Sequence, residues 1–340
     1  MSKQSGGLGR YIVQRLLLAV PMVLILLTLV FVLMRVAPGD PVSAAAGGKL
    51  SAAQLAEKRH IAGLDKPLLE QYWNYISNVA HLDFGTTFVD HRKVTDLIVD
   101  NGGATLSLTI GALIVAILIG LPIGLFSGRF RDSAFDVGAR VFSITTYAAP
   151  VFVTGLLAQL VFSGGSLPVS DQADQLMSLN VDTTTHIYIV DAMIAGNWDA
   201  VNDALLHLVL PSVTLGLLIV GVFIRMIRVN VIQTLQGDYI EAARARGIKE
   251  SAVVTKHAFR NALVPVITVL GLQVAMLLGG AVLTEKTFNW PGIGLMLIQY
   301  INQRDYVAVQ GIVTVFALVV VFISMLIDFV NALIDPRVRY

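Results

Sequence analysis

Six separate apolar runs, each about twenty residues long, constrain this chain more than any motif in it. A helix of that length crosses the roughly 30 Å hydrocarbon core of a bilayer and satisfies its backbone N–H and C=O groups internally. With 340 residues, 55% hydrophobic and 14% charged, and a mean hydropathy of +0.73, the chain is expected to be an all-α integral membrane protein. The expected spans are 12–34, 105–126, 141–163, 207–227, 262–284 and 307–330. The first, apolar from Leu16 to Leu33, is too long for a signal-peptide core and lacks a following small-residue cleavage site. It reads as an uncleaved helix. Pro21, Pro122, Pro150, Pro211 and Pro265 fall one to each of the first five spans, where membrane helices tolerate kinks.

Lys and Arg outside the spans set the expected orientation. Seven lie between Arg225 and Arg260, whereas the neighbouring segment 164–206 has none. Both termini and segment 228–261 should therefore face the cytoplasm (N-in, C-in), with 36–104 and 164–206 outside. Segment 36–104 is too sparse in apolar residues for a core of its own. It reads as an external cap, with two short helices between Ser51 and Ala80, on a single domain covering 1–340. Segment 164–206 carries six aspartates: Asp171, Asp174, Asp182, Asp191, Asp199 and Asp203. Such a rim either attracts a cationic partner or substrate amine, or is simply a solvated surface.

The polar stretch Asp238–Pro265 stands apart in this hydrocarbon-rich sequence. Asp238 followed by Glu241 reads as a helix start in the manner of a capping box. Gly247 reads as its left-handed stop. A second helical run from Glu250 to Asn261 feeds the fifth span. So short a first helix is marginal alone. It is either an ordinary loop with incidental helicity or an element that something else holds.

Glu241-Ala242-Ala243 followed by Gly247 resembles the EAA loop of ATP-binding-cassette importer permeases. The segment His257–Pro265 is similar to the peptide/nickel branch, since Leu263-x-Pro265 comes later than the general family pattern places it. Arg35 with Pro38-Gly39-Asp40-Pro41, and Gly63-Leu64-Asp65-Lys66-Pro67-Leu68, resemble the B-type subunit of dipeptide and oligopeptide permeases. Asp83-Phe84-Gly85, His207–Pro211, Arg304-Asp305-Tyr306 and Asp335-Pro336-Arg337 fit as well. So does Glu285-x-x-Phe288-x-x-Pro291-Gly292-x-Gly294, while Leu167-Pro168 matches its family turn only in part. The resemblance implies a type I importer permease fold. It implies that Glu241, Ala242, Ala243 and Gly247 couple the chain to an ATPase, with Asp238 and Tyr239 joining them by position.

No Walker A phosphate loop occurs; Gly47-Gly48-Lys49-Leu50 lacks the first glycine and the hydroxyl. The six histidines are scattered, no metal-ligand or catalytic spacing appears, and without cysteine there are no disulfides or thiolate sites. A net charge of +1 gives no reason to expect nucleic acid. No ionisable residue falls deep inside a span; His207 and Asp328, near span ends, read as reaching for the interface. The expectation is a transport subunit, not an enzyme, whose energy arrives from outside the bilayer. The resemblance implies the following partners in a cytoplasmic (inner) membrane: a second homologous permease subunit, ABC ATPase subunits and an external substrate-binding protein. This chain would hold no cofactor, ATP and Mg²⁺ belonging to the ATPase, and would move peptides, nickel chelates or haem by alternating access. The rivals are an ion-coupled secondary transporter, whose sites can be built from backbone and hydroxyls, and a scaffold docking a cytoplasmic partner through the same loop.

Overall fold

The computed structural model describes residues 6–36, 51–61, 63–165 and 167–334. Pro38–Pro41, Gly47–Leu50 and Asp335–Arg337, singled out above, lie outside the described residues. Within them the chain is helical: α1 Gly6–Val36, α2 Ala52–Ile61, α3 Leu68–Ala80, α4 Val94–Arg129, α5 Ala134–Ala148, α6 Val151–Phe162, α7 Gln175–Ser178 and α8 Tyr188–Ile194. There follow α9 Trp198–Leu235, α10 Asp238–Ala245, α11 Glu250–Ala252, a π-helical stretch Val253–Ala258, α12 Phe259–Phe288, α13 Ile293–Asn302 and α14 Tyr306–Ile334. Among the described residues, α1, α4, α9 and α14 are long and apolar enough to cross a bilayer. The expected fifth span, 262–284, lies within the 30-residue α12.

The third expected span is corrected. Residues 141–163 are not one helix but parts of α5 and α6, which meet at a bend of 103°. Pro150 makes the break by forcing the residue before it out of the helical region; Ala149 has φ −74° and ψ 125°. Pro21, Pro122, Pro211 and Pro265 instead lie within continuous helices.

Helices α4 and α9 form the centre. Small residues at every fourth position, Ala112, Ala116, Gly120, Gly124 and Gly128, line one buried stripe of α4. An added Cβ at Gly120, Gly124 or Gly128 would lie 2.8 Å from Phe223, Ile227 or Val231, side chains with the same spacing on α9. In lipid, where tails are as apolar as leucine, this close backbone approach supplies the attraction that the hydrophobic effect cannot.

The expected cap helices α2 and α3 are present, and α3 docks on α1 and α14. Tyr72 bonds Thr28 and Tyr75 bonds Thr314, each at 2.7 Å. Phe31 packs between the two tyrosine rings. Asp305, fully buried, accepts from the backbone N–H of Phe88 at 2.5 Å and Val89 at 3.0 Å, fixing the following turn on the start of α14.

Four of the six aspartates in 164–206 are occupied structurally. Asp171 bonds Asn289, Asp174 caps α7, Asp191 accepts from Thr185 and Asp203 accepts from the Asp174 N–H. The loop is therefore a folded appendage more than a free acidic rim. The two near-terminal ionisable residues are paired as well. Asp328 meets Arg15 at 3.0 Å, tying α14 to α1, and His207 Nδ1 lies 2.9 Å from the Asp203 carbonyl.

Candidate docking segment and the two ends of α12

Helix α10 begins where the sequence places it, but with a different cap. Gly237 is the N-cap, no side chain caps the helix, and Asp238 and Glu241 lie in its first turn. The expected capping box is absent. The two carboxylates still complement the positive end of the helix dipole. Glycine fits at the cap because Tyr239 folds back over it: an added Cβ would lie 2.7 Å from the ring.

The far end matches the expectation for Gly247. Its φ is +72°, its N–H donates to the Arg244 carbonyl at 2.9 Å, and the Ile248 N–H donates to Ala243 at 3.3 Å. These two bonds form a Schellman stop. Ile248 then packs on Ile240, Ala243, Val253 and Ala258, a small core of the segment's own. This core holds a helix of eight residues that would be marginal alone.

The candidate residues divide between two faces. Ala243 is buried, facing that core; Asp238, Tyr239, Glu241, Ala242 and Gly247 are exposed. Arg244 also stays outside, gripping Glu250 with two hydrogen bonds of 3.1 and 2.7 Å. The grip holds the Glu250 carboxyl below its ordinary range, with Arg129 at the end of α4 assisting. The segment thus presents a thin, mixed-charge face on a braced base. Its geometry offers a docking surface and no catalytic constellation.

The expected second helix is present and continues without interruption into α12, but its middle, Val253–Ala258, is π-helical. Such insertions are uncommon and often mark functional positions. Nearby, the inner faces of α4, α5 and α9 are joined at Asp136, which is fully buried. It accepts from Arg228 Nε at 2.5 Å and Nη2 at 2.7 Å, from Ser127 Oγ and from the Asp132 N–H at 3.0 Å.

At the opposite end of α12 lies a residue whose role the sequence reading missed. Glu285, one position beyond the expected span, is fully buried. Its carboxylate accepts from Thr105 Oγ1 at 2.7 Å and from the Leu295 N–H at 2.9 Å, so it caps α13. Thr105 accepts in turn from the Ile293 N–H at 2.9 Å, and Trp290 Nε1 donates to the Ala104 carbonyl at 2.8 Å. The glycines explain their own spacing: a Cβ at Gly292 would lie 2.3 Å from the Glu285 carboxyl, and one at Gly294 2.6 Å from Val282 Cα. The signal was present in Glu285-x-x-Phe288-x-x-Pro291-Gly292-x-Gly294, but spacing alone does not say that the glycines enclose the glutamate.

Comparison with known proteins gives a consistent result. The family described as "Binding-protein-dependent transport system inner membrane component" matches residues 120–340, and its N-terminal counterpart matches 8–109. A di/tripeptide transport system permease protein of Pseudomonas aeruginosa is 38% identical over 333 residues, 97% of this chain and 98% of the relative. A glutathione transport system permease protein of Pectobacterium atrosepticum is 36% identical over 330 residues, 97% and 99% of the two chains. A dipeptide transport system permease protein of Escherichia coli is 36% identical over 335 residues, again 97% and 99%. Among solved structures, a chain of the inward-facing MetNI methionine ABC transporter aligns with a TM-score of 0.52 at 15% identity. That alignment covers 70% of this chain and 96% of the other, and it supports the fold alone.

Proposed function

Since the chain belongs to the family of binding-protein-dependent transport system inner membrane components, we propose that it imports short peptides as the membrane-spanning half of an ATP-driven transporter. The observation that carries the mechanism is the docking segment: a short helix stopped by Gly247, braced on its own core, with Asp238, Tyr239, Glu241 and Ala242 turned outward. An ATPase chain, holding the ATP and Mg²⁺, seats on that face. Its closure on ATP displaces the segment and, through α12, the spans. A second homologous permease completes the pathway, and an external binding protein delivers cargo to the opposite face. The docking segment and both termini lie in the cytoplasm, which the Lys and Arg distribution supports, and the membrane is the inner one. Peptide cargo is supported by the names of the full-length relatives, which handle dipeptides, di/tripeptides and glutathione.

Reconstitution with the partner chains tests the reading. Proteoliposomes supplied with ATP and no ion gradient should accumulate a labelled dipeptide. Accumulation that stops when proton and sodium gradients are collapsed, with ATP still present, would rule out direct ATP drive.

A further inference from the structure

Helix α12 joins the docking segment at one end to a buried polar joint at the other. It continues from the π-helical stretch and runs 30 residues, about 45 Å at 1.5 Å per residue, to Glu285 and Phe288. The Glu285 carboxylate is fully buried, yet its hydrogen-bond donors are neutral: a hydroxyl of α4 and an N–H of α13. A helix that merely needs a cap finds it in an adjacent Ser, Thr, Asp or Asn. Here the cap arrives from another helix, and it places a carboxylate out of water, which is costly unless every oxygen is satisfied. Two other elements meet α12 here. Thr105 brings α4, the 293–295 backbone brings α13, and Trp290 adds a second bond to α4. Gly294 passes so close to α12 that an added Cβ would lie 2.6 Å from Val282 Cα.

We propose that Glu285 is a positioning residue for transport, locking the far end of α12 to α4 and α13 so that movement of the docking segment is delivered to the opposite face as one body. This deepens the importer reading and rests on it. Removing the carboxylate leaves the docking segment untouched at the other end of the helix. The ATPase still binds and hydrolyses, and the opposite face no longer follows.

Hydrogen exchange on the complete assembly, permease with its ATPase and binding-protein partners, tests this without knowledge of the cargo. Exchange at 238–248 and at 286–302 is compared with and without vanadate-trapped nucleotide. In the wild type both segments should respond. Glu285→Ala should keep the response at 238–248 and lose it at 286–302. Thr105→Val, which removes the hydroxyl but keeps the shape, should do the same should Glu285→Ala fail to assemble. Thr105→Ser, which restores the hydroxyl, should restore the distant response; a merely packing role for Thr105 gives the reverse order. The proposal is overturned if 286–302 responds as strongly in Thr105→Val or Glu285→Ala as in the wild type. It is overturned equally if that segment does not respond in the wild type. A wild-type assembly with no response at 238–248 refutes the importer reading itself, and the proposal with it.

Discussion

The two ends of α12 carry polar residues under opposite rules. At the 238–258 end the polar groups face outward, the one grip is an exposed Arg244–Glu250 pair, and the glycine that matters, Gly247, is surrounded by open space. At the 285–295 end the decisive polar group is fully buried, and the glycines press against it. A surface awaiting a partner leaves its donors and acceptors to water until the partner comes. A joint within the chain must satisfy all of them at once, since an unmet buried group costs about 1–3 kcal/mol. The difference separates an outward polar face from a joint within the chain without reference to any relative.

That contrast can be broken most completely by labelling. The chain has no cysteine, so single substitutions Ser178→Cys, in the loop whose Asp171 bonds the 285–295 turn, and Ser251→Cys report the two ends separately. Both sites are exposed. In intact cells Ser178→Cys should react with an impermeant maleimide and Ser251→Cys should not. Reversed labelling would invert the orientation proposed here.

Glycine substitutions sharpen the contrast next. Gly292→Ala puts a methyl group 2.3 Å from the Glu285 carboxyl, which must shift off its buried hydrogen bonds, and should cost roughly 1–3 kcal/mol. Purified protein should melt lower, with reduced folded yield. At Gly247 an added Cβ has no atom within 4 Å, so the cost expected of Gly247→Val is that of its left-handed backbone, about 1–2 kcal/mol. Insertion and expression should stay near normal while uptake falls, either because the ATPase associates weakly or because loaded binding protein no longer stimulates hydrolysis. Gly247→Ala should fall between this variant and wild type. Wild-type uptake by Gly247→Val at equal expression would show that the segment couples nothing.

The smallest effect is expected at the exposed brace. Glu250→Ala removes a solvent-facing grip on α10, and such pairs contribute little and are screened by salt. Melting should barely change, and any loss of ATPase affinity should shrink at high ionic strength. Because Arg244 lowers the Glu250 pKa in the folded chain, the brace is fully present above the carboxyl's unfolded value. It is lost as pH falls through the lowered folded one. A stability advantage over Glu250→Ala that grows instead of fading as pH falls below the carboxyl's unfolded value would contradict that sign.

Periodicity and residue type were enough for the elements that act locally. Four of the expected spans appear as long apolar helices, the cap helices fall between Ser51 and Ala80, and Gly247 stops α10 with the backbone bonds its position implies. Each of these depends on neighbours a few residues away or on the surrounding solvent, both of which sequence records. What it did not record was which residues become neighbours in space. Pro150 breaks a span whereas Pro122 and Pro211 do not, and proline's own chemistry is the same at all three. Asp136 meets Arg228 across 92 positions, and Glu285 meets Thr105 across 180. Glu285 stood in the sequence only as the first residue of a family-like turn, and its burial came with the fold that set Gly292 and Gly294 against it. Burial and hydrogen-bond satisfaction are properties of packed elements, so the sequence alone determined four of the spans and the stop of α10, and only the tertiary structure decided where a span breaks and which charges lie inside.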